Sequence, residues 1–376
     1  MHHTSDIIVI GAGLVGSACS YGLLRQGLKV ALLDEGDIAH RASRGNFGLV
    51  WVQGKGYGLA DYARWSLGSS ELWPGLRDAL QDETGVDVVL QQPGGFHFCL
   101  TEAEFVERET RLKWLQSEVG SHYQYEMLPQ ASLRDRLPGV GPDVYGASYS
   151  PMDGHVNPLK LFHALHSACD KRGAAYRVER RVQDIAFANG VYTVKSGGDT
   201  WQAPRLLLTA GLGNPALAAQ VGLHAPVKPN QGQVLVGERV QAFLKNPTIF
   251  VRQTDEGTIQ IGDSLEDMGF DDTTRTDVLA RIARRALVCF PQLAGLNLVR
   301  SWAALRVMSP DGYPIYQASD THPGAFVATC HSGVTLAAAH VERLAPWIAD
   351  GDKPEGIDVF SGDRFLDPTK EFHHGH

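Results

Sequence analysis

Little in this 376-residue chain points to metals, membranes or nucleic acid. Its five cysteines (Cys19, Cys99, Cys169, Cys289, Cys330) are scattered, and no two form a C-x-x-C pair. That spacing excludes a cysteine-ligated zinc or iron–sulfur motif, and no metal site is expected. Isolated thiols in a chain of this size suit a reducing compartment, so the cytoplasm is the expected location. No apolar run reaches the roughly 18 residues of a membrane span. The apolar start has no Lys or Arg ahead of it, and its glycines account for it better than a signal peptide does. Lys and Arg number 34 against 42 Asp and Glu, a net charge of −8 with no basic stripe, which argues against a nucleic-acid partner. No internal repeat or low-complexity tract is evident. His2, His3 and the terminal His373, His374 and His376 read as tails and are set apart from any site.

What the chain does carry is a dinucleotide pattern at its start. Ile7, Ile8, Val9 and Ile10 read as a buried parallel strand, followed by Gly11, Gly13 and Gly16 in the spacing G-x-G-x-x-G. A helix pattern runs to about Gln26, and a second apolar strand, Val30 to Leu33, ends at Asp34. Gly11 permits the tight turn, Gly13 the approach of a pyrophosphate, and Gly16 close helix–sheet packing. The helix start offers unpaired N–H groups to the phosphates. Asp34 stands where a carboxylate accepts from ribose hydroxyls.

The length allows about two domains. After Asp34, residues 36–58 read as a loop, in which Ser43, Arg44 and Asn46 can donate to phosphate or ring oxygens. A helical pattern over 60–80 is interrupted by Pro74 and Gly75. Residues 86–100 read as two strands joined by a turn. Thr101 and Glu104 form a capping box for a helix to about Val119. Asn157 and Pro158 open a helix to Arg172. His155, just before them, reads as structural. Strands are expected at 175–185, 191–194, 205–208, 233–236, 248–252, 258–262, 298–307 and 325–328, with helices at 275–289 and 333–349.

Several distant pieces then carry a resemblance. The N-terminal fingerprint, the Ser43–Gly48 loop SRGNFG, the mid-chain LLLTAG, the SWAALR before a DGYPI turn, and the HSGV at the last helix resemble the FAD-dependent D-amino acid oxidase superfamily of glycine and sarcosine oxidases. The stretch Gly45–Gly56 is most similar to the B (β) subunits of opine oxidases and D-hydroxyproline dehydrogenases, and to one subunit of hydrogen cyanide synthase. The resemblance implies a mixed α/β fold: a discontinuous Rossmann-type FAD-binding domain (1–90, 145–225, 300–376) and an antiparallel-sheet substrate domain (91–144, 226–299). It implies that non-covalent FAD is held by Gly11, Gly13, Gly16, Asp34, Ser43, Arg44 and Asn46. Val182 matches the strand whose backbone contacts adenine. Thr209, Ala210 and Gly211 match a second cofactor-proximal motif, and Gly333, Val334 and Thr335 the helix start at the flavin pyrimidine, where its dipole stabilises negative charge.

The implied reaction oxidises the C–N bond of a secondary amino acid, an opine such as octopine or nopaline, or D-hydroxyproline. Hydride passes to flavin N5, and water hydrolyses the imine. Arg306 matches the arginine that binds the substrate carboxylate. His331, with Ser332, matches a place beside the flavin, where it polarises the amine, binds carboxylate, or is structural. Gln260 falls where sarcosine oxidases carry an oxygen-activating lysine, which favours a dehydrogenase. The resemblance further implies a second flavoprotein subunit, a small iron–sulfur subunit and an FMN at a subunit interface. Two alternatives stand beside it: a stand-alone glycine or D-amino acid oxidase making hydrogen peroxide, and a non-catalytic flavin-binding subunit.

Overall fold

The computed structural model of the chain describes residues 1–36, 42–262, 264–367, 369, 371 and 372. Part of the expected loop after Asp34 (37–41) and His373, His374 and His376 lie outside the described residues.

The N-terminal apolar run forms the strand Ile7–Ile10, buried throughout. It lies between Val30–Leu33 and Arg205–Leu208, parallel to both. The sheet has six strands, in the order Ile315–Ala318, Ala325–Thr329, Arg205–Leu208, Ile7–Ile10, Val30–Leu33, Ala175–Arg177. A parallel sheet needs cover on both faces, and its central strands are accordingly apolar on both. Ile7 and Val9 pack against one core with the helices Leu14–Arg25, Ala60–Thr84 and Pro158–Lys171. Ile8 and Ile10 face the opposite core with Tyr192, Val194 and Trp201. Those three belong to a neighbouring sheet whose edge strand, His2–Thr4, pairs with Asp199–Ala203. His3 stacks on Trp201, ring centroids 4.0 Å apart, so His2 and His3 are part of the fold.

Two antiparallel sheets share a third core. Gly146–Ser150 pairs with Gly95–Cys99 and Glu126–Pro129. Lys228–Arg239 pairs with Thr258–Ile261 on one side and along most of Leu298–Met308 on the other. Phe96, Phe98, Leu128, Leu235, Ile259 and Phe290 fill the space among them.

Local signals hold at the caps. Asn157 Oδ1 accepts from the amides of Leu159 and Lys160, at 3.2 and 3.1 Å. Thr101 Oγ1 accepts from Glu104 N at 3.2 Å, whereas the Glu104 carboxylate takes the amide of Leu100, one residue before the cap. Elsewhere tertiary contacts prevail. The helix Ala60–Thr84 runs straight through Pro74. Pro74 has no N–H for the Ser70 carbonyl, and Gln92 Nε2 supplies one instead at 3.1 Å. Only Gly95–Cys99 of the expected 86–100 hairpin is a strand, because its partner is the distant Gly146–Ser150. The expected 175–185 strand stops at Arg177 and resumes at Ile185, so Val182 lies in no strand. The last helix is interrupted by a π segment, His340–Leu344, where His340 Nε2 meets Tyr316 OH at 2.8 Å.

Gly22 faces that π segment. A Cβ there would lie 2.5 Å from Ala345 Cβ and 2.6 Å from the Val341 oxygen. Gly22→Ala is therefore expected to destabilise the fold by about 1–3 kcal/mol, read as a lower urea midpoint at unchanged slope. An unchanged midpoint would show that the two helices separate freely.

Candidate active site

The glycine loop is knotted to the end of the Arg205–Leu208 strand. Gly11 has φ +103°, and a Cβ on it would lie 2.4 Å from the Thr209 oxygen. A Cβ on Gly16 would lie 1.8 Å from the Gly11 oxygen and 2.6 Å from Thr209 Oγ1. Thr209 Oγ1 donates to the Gly11 oxygen at 2.7 Å. Gly11, Gly16, Thr209 and Ala210 thus meet in one place. Gly211, at φ +56°, opens the short turn that follows.

Gly13 caps the helix Leu14–Arg25, and Ser43 Oγ accepts from Leu14 N at 2.9 Å. Asp34 takes the amides of Ala12 (2.8 Å) and Gly36 (2.9 Å), so its first role is to fasten the turn, with lone pairs left for a further donor. The amides of Gly13, Val15 and Gly16 donate to no protein acceptor among the described residues. Bare N–H groups at a helix start fit the pyrophosphate of a dinucleotide. Val182 is buried in the adjoining core, and the nearby link to Asp34 runs through Arg180 N, 2.7 Å from the Asp34 oxygen.

Beyond this loop lies a cavity of about 620 Å³. Its wall brings together Asn46, Arg306, His331, Val334 and Thr335. Gly11, Gly13, Gly16, Asp34, Ser43, Arg44, Val182, Thr209, Ala210, Gly211 and Gly333 are outside it. Gly333 packs towards Leu14, and the Arg44 guanidinium sits 5.7 Å from the centre of the Phe162 ring. Asn46 Oδ1 accepts from Gly48 N at 2.7 Å and bends the loop into the wall. The last helix begins at Ala337, not at the expected Gly333, so Gly333, Val334 and Thr335 lie in the turn before it; Thr335 Oγ1 accepts from Trp51 N at 3.1 Å, which ties that turn to the Leu49–Trp51 segment.

Arg306 reaches the cavity from the Leu298–Met308 strand. Its Nη1 donates to the Ser264 oxygen at 2.7 Å and to the Gln231 oxygen at 3.3 Å. Gly232 makes room: a Cβ there would lie 2.3 Å from that nitrogen. The guanidinium is therefore aimed by backbone carbonyls. His331 lies 3.3 Å from Ser332 Oγ through Nε2.

Sequence reasoning missed Lys55. Its Nζ donates to Ser332 Oγ at 2.5 Å, and Tyr62 OH donates to the same oxygen at 3.0 Å. Burial lowers the Lys55 ammonium to about 8, with Cys330 and Asp153 opposing the shift. The available signal was a lysine between Gly54 and Gly56, close to the apolar run Leu49–Val52. Gln260, by contrast, is absent from the wall. Its Oε1 accepts from Arg252 Nε at 2.7 Å, and Arg252 in turn meets His155 Nδ1 at 3.2 Å and the Val156 oxygen at 2.8 Å. Lys55, from the loop at residues 53–58, places a cation in the cavity that Gln260 does not supply. Cys330 is pushed up to about 12 by burial, which keeps the thiol protonated. Among the described residues no cluster of His, Cys, Asp and Glu could hold a metal ion, and no helix is long and apolar enough to cross a membrane.

Comparison with known proteins gives a consistent result. The profile of a family described as "FAD dependent oxidoreductase" matches residues 6–347. The opine oxidase B subunit of Agrobacterium tumefaciens is 45% identical over 361 residues, 96% of this chain and 97% of that one. The protein of the same name from Rhizobium meliloti is 44% identical over the same shares. Among solved structures, glycine oxidase from Geobacillus kaustophilus superposes with a TM-score of 0.89 over 96% of this chain and 98% of that one, at 23% identity.

Lys55 generates a pH prediction. Its ammonium is charged below about pH 8, so a small carboxylate such as acetate should bind the cavity more tightly below that pH than above it. Calorimetry should show a step near 8 that Lys55→Met abolishes. Asp153, raised to about 7 by burial, would leave its own step in that variant. Because the folded pKa lies below the unfolded one, the burial cost of Lys55 is full below pH 8 and is relieved as pH rises from about 8 towards 10.5. Binding with no step near 8 would refute the placement.

Proposed function

The chain belongs to the FAD-dependent oxidoreductase family, and on that basis we propose that it is the catalytic subunit of an amine dehydrogenase. Its substrate is a secondary amino acid, an opine or D-hydroxyproline, oxidised at the C–N bond. The observation that carries this reading is the cavity in which Arg306 and His331 share a wall with Asn46, Val334 and Thr335. The 45% identity to an opine oxidase B subunit, across nearly the whole chain, supports the substrate class.

When bound, FAD supplies the two-electron acceptor for the C–H bond. The six-stranded sheet and its helices would form the FAD-binding part, and the two antiparallel sheets the substrate part, which assigns Gly146–Ser150 and Leu298–Met308 to the substrate part where the expected boundaries (145–225, 300–376) gave the first and most of the second to the FAD-binding domain. The amides of Gly13, Val15 and Gly16 would hold the pyrophosphate and Asp34 the ribose, with Val182 on the adenine side. Ser43, Arg44, Asn46, Thr209, Ala210 and Gly211 would line the path to the ring, and Gly333, Val334 and Thr335 its pyrimidine end. Arg306 pairs with the substrate carboxylate, already oriented by its bonds to the Ser264 and Gln231 oxygens. A secondary amine must lose a proton before its C–N bond is oxidised, and His331 is the base beside it, supported by Ser332 and Lys55. The reading extends to a cytoplasmic heteromer with a second flavoprotein subunit, an FMN at their interface and a small iron–sulfur subunit.

A second reading has one observation in its favour. Lys55 puts a cation in the cavity, and a cation stabilises the negative charge that oxygen acquires on reduction. The chain alone would then be an oxidase releasing hydrogen peroxide. Anaerobic bleaching of the visible flavin absorbance by secondary amino acids tests the first reading, and peroxide release in air by the isolated chain identifies the second. No bleaching by any amine, with partner subunits present, would leave a non-catalytic flavin-binding subunit. Arg306→Ala is expected to lower kcat/KM by roughly 10- to 150-fold, the equivalent of about 1.5–3 kcal/mol for a charge-assisted contact. Full affinity in that variant would remove Arg306 from the site.

A further inference from the structure

The cavity wall carries more positive charge than one carboxylate needs. Lys55, Arg108, Arg111, Arg285 and Arg306 line it, against Glu104 and Glu107. Glu107 is taken by Arg111 at 2.5 Å. Arg108 is different. It is only 8% exposed, and among the described residues it has no ion-pair partner.

Its hydrogen bonds go to neutral groups: Nε donates to Ser148 Oγ at 2.9 Å and Nη2 to Gln53 Oε1 at 2.9 Å. These acceptors are themselves held. Ser148 Oγ donates to Gln53 Oε1 at 2.6 Å, and Gln53 Nε2 donates to Asp153 Oδ2 at 2.6 Å and to the Gly95 oxygen at 3.0 Å. Gln53 thus stands between Arg108 and the buried Asp153. The third nitrogen, Nη1, lies against Gly54, where a Cβ would be 2.4 Å away. The guanidinium is held on two sides, desolvated, and hydrogen-bonded to no carboxylate among the described residues. Its field reaches further: burial, with the charges of Arg108, Arg111 and Arg285, holds the His97 imidazole in the wall well below its usual range.

The Asp153 carboxylate acts on Arg108 only across Gln53 and makes no direct ion pair with it, and a buried cation without a direct ion pair is costly unless a ligand supplies one. We propose that Arg108 is a second carboxylate-binding residue of the cavity that Arg306 also lines, so that the substrate is a secondary amine bearing a carboxylate on each of its two carbon arms. This rests on the amine-oxidising reading above and selects within it: an iminodicarboxylate of the opine type, not a cyclic amino acid with one carboxylate. Arg306 takes the carboxylate on the arm to be oxidised. Arg108 takes the other and sets the distance between them.

The test uses the FAD-loaded protein and two series of ligands. One is N-(carboxyalkyl)alanines with one, two or three methylenes between nitrogen and carboxylate. The other is the matching N-alkylalanines, in which a branched methyl end replaces the carboxylate. Binding is read by calorimetry on the dithionite-reduced protein, which cannot turn over, and bleaching is read separately on the oxidised protein. At least one dicarboxylate should bind about tenfold or more tighter than its isostere, the scale of one charge-assisted contact. Arg108→Met should erase that margin and leave affinity for the isostere unchanged, whereas Arg306→Met should weaken both. Arg108→Lys, which keeps the charge but not the fork held by Ser148 and Gln53, should reduce the margin several-fold and serves if the methionine variant does not fold. The proposal is overturned if no dicarboxylate is preferred, if Arg108→Met weakens both ligands equally, or if Arg108→Lys leaves the margin intact. A margin without bleaching by any amine would uphold the site and refute the amine-oxidising reading.

Discussion

The contact on which the rest of this structure depends is the near-touching approach of Gly16 to the Gly11 carbonyl and Thr209. A single added carbon at Gly16 would fall 1.8 Å from the Gly11 oxygen. That closeness brings the helix Leu14–Arg25 to the end of the Ile7–Ile10 strand, at a turn where the amides of Gly13, Val15 and Gly16 have no protein acceptor among the described residues. It also brings Thr209, nearly two hundred residues away, to the back of the turn through its bond to the Gly11 oxygen. The two central parallel strands thereby end at one level, and ligands of such sheets bind beyond their carboxyl ends.

The cavity beyond follows a different physical rule. Its groups are costly to bury, and each is held by others that are buried too. Thr335 fastens the turn before the last helix to Trp51. Ser332 gathers Lys55, Tyr62 and His331. Gln53 separates Arg108 from Asp153, and burial raises the Asp153 carboxyl to about 7 although it accepts from Val52 and Gln53. Such networks are favourable only when nearly every member is satisfied, so the members left short of a partner mark where a ligand belongs.

Short-range chemistry was legible. Asn157 followed by Pro158 can do little except start a helix, and it does. The alternating burial of Ile7 to Ile10 between two cores was likewise implicit in four consecutive β-favouring apolar residues. Pro74 misled because the cost of a proline in a helix is a missing donor, and Gln92 provides one from eighteen residues on. Gln260 shows how a distant partner fixes a strand side chain. Strand position alone does not tell which side chain enters a cavity, and Arg252 draws Gln260 away.

Spacing along the chain and residue type were enough for the dinucleotide turn and for the apolar runs of the parallel strands, whereas the expectation of Arg306 and His331 in one site came from the family resemblance. Spacing and residue type were not enough for Lys55 and Arg108, which join that cavity only through the packing of the folded chain. Lys55 reaches Ser332 across 277 residues, and Arg108 meets Gln53 across 55. No local periodicity encodes such meetings. They arise when packed sheets bring remote loops to one wall, and only there does it become visible which buried charge has an internal partner and which awaits one from a ligand.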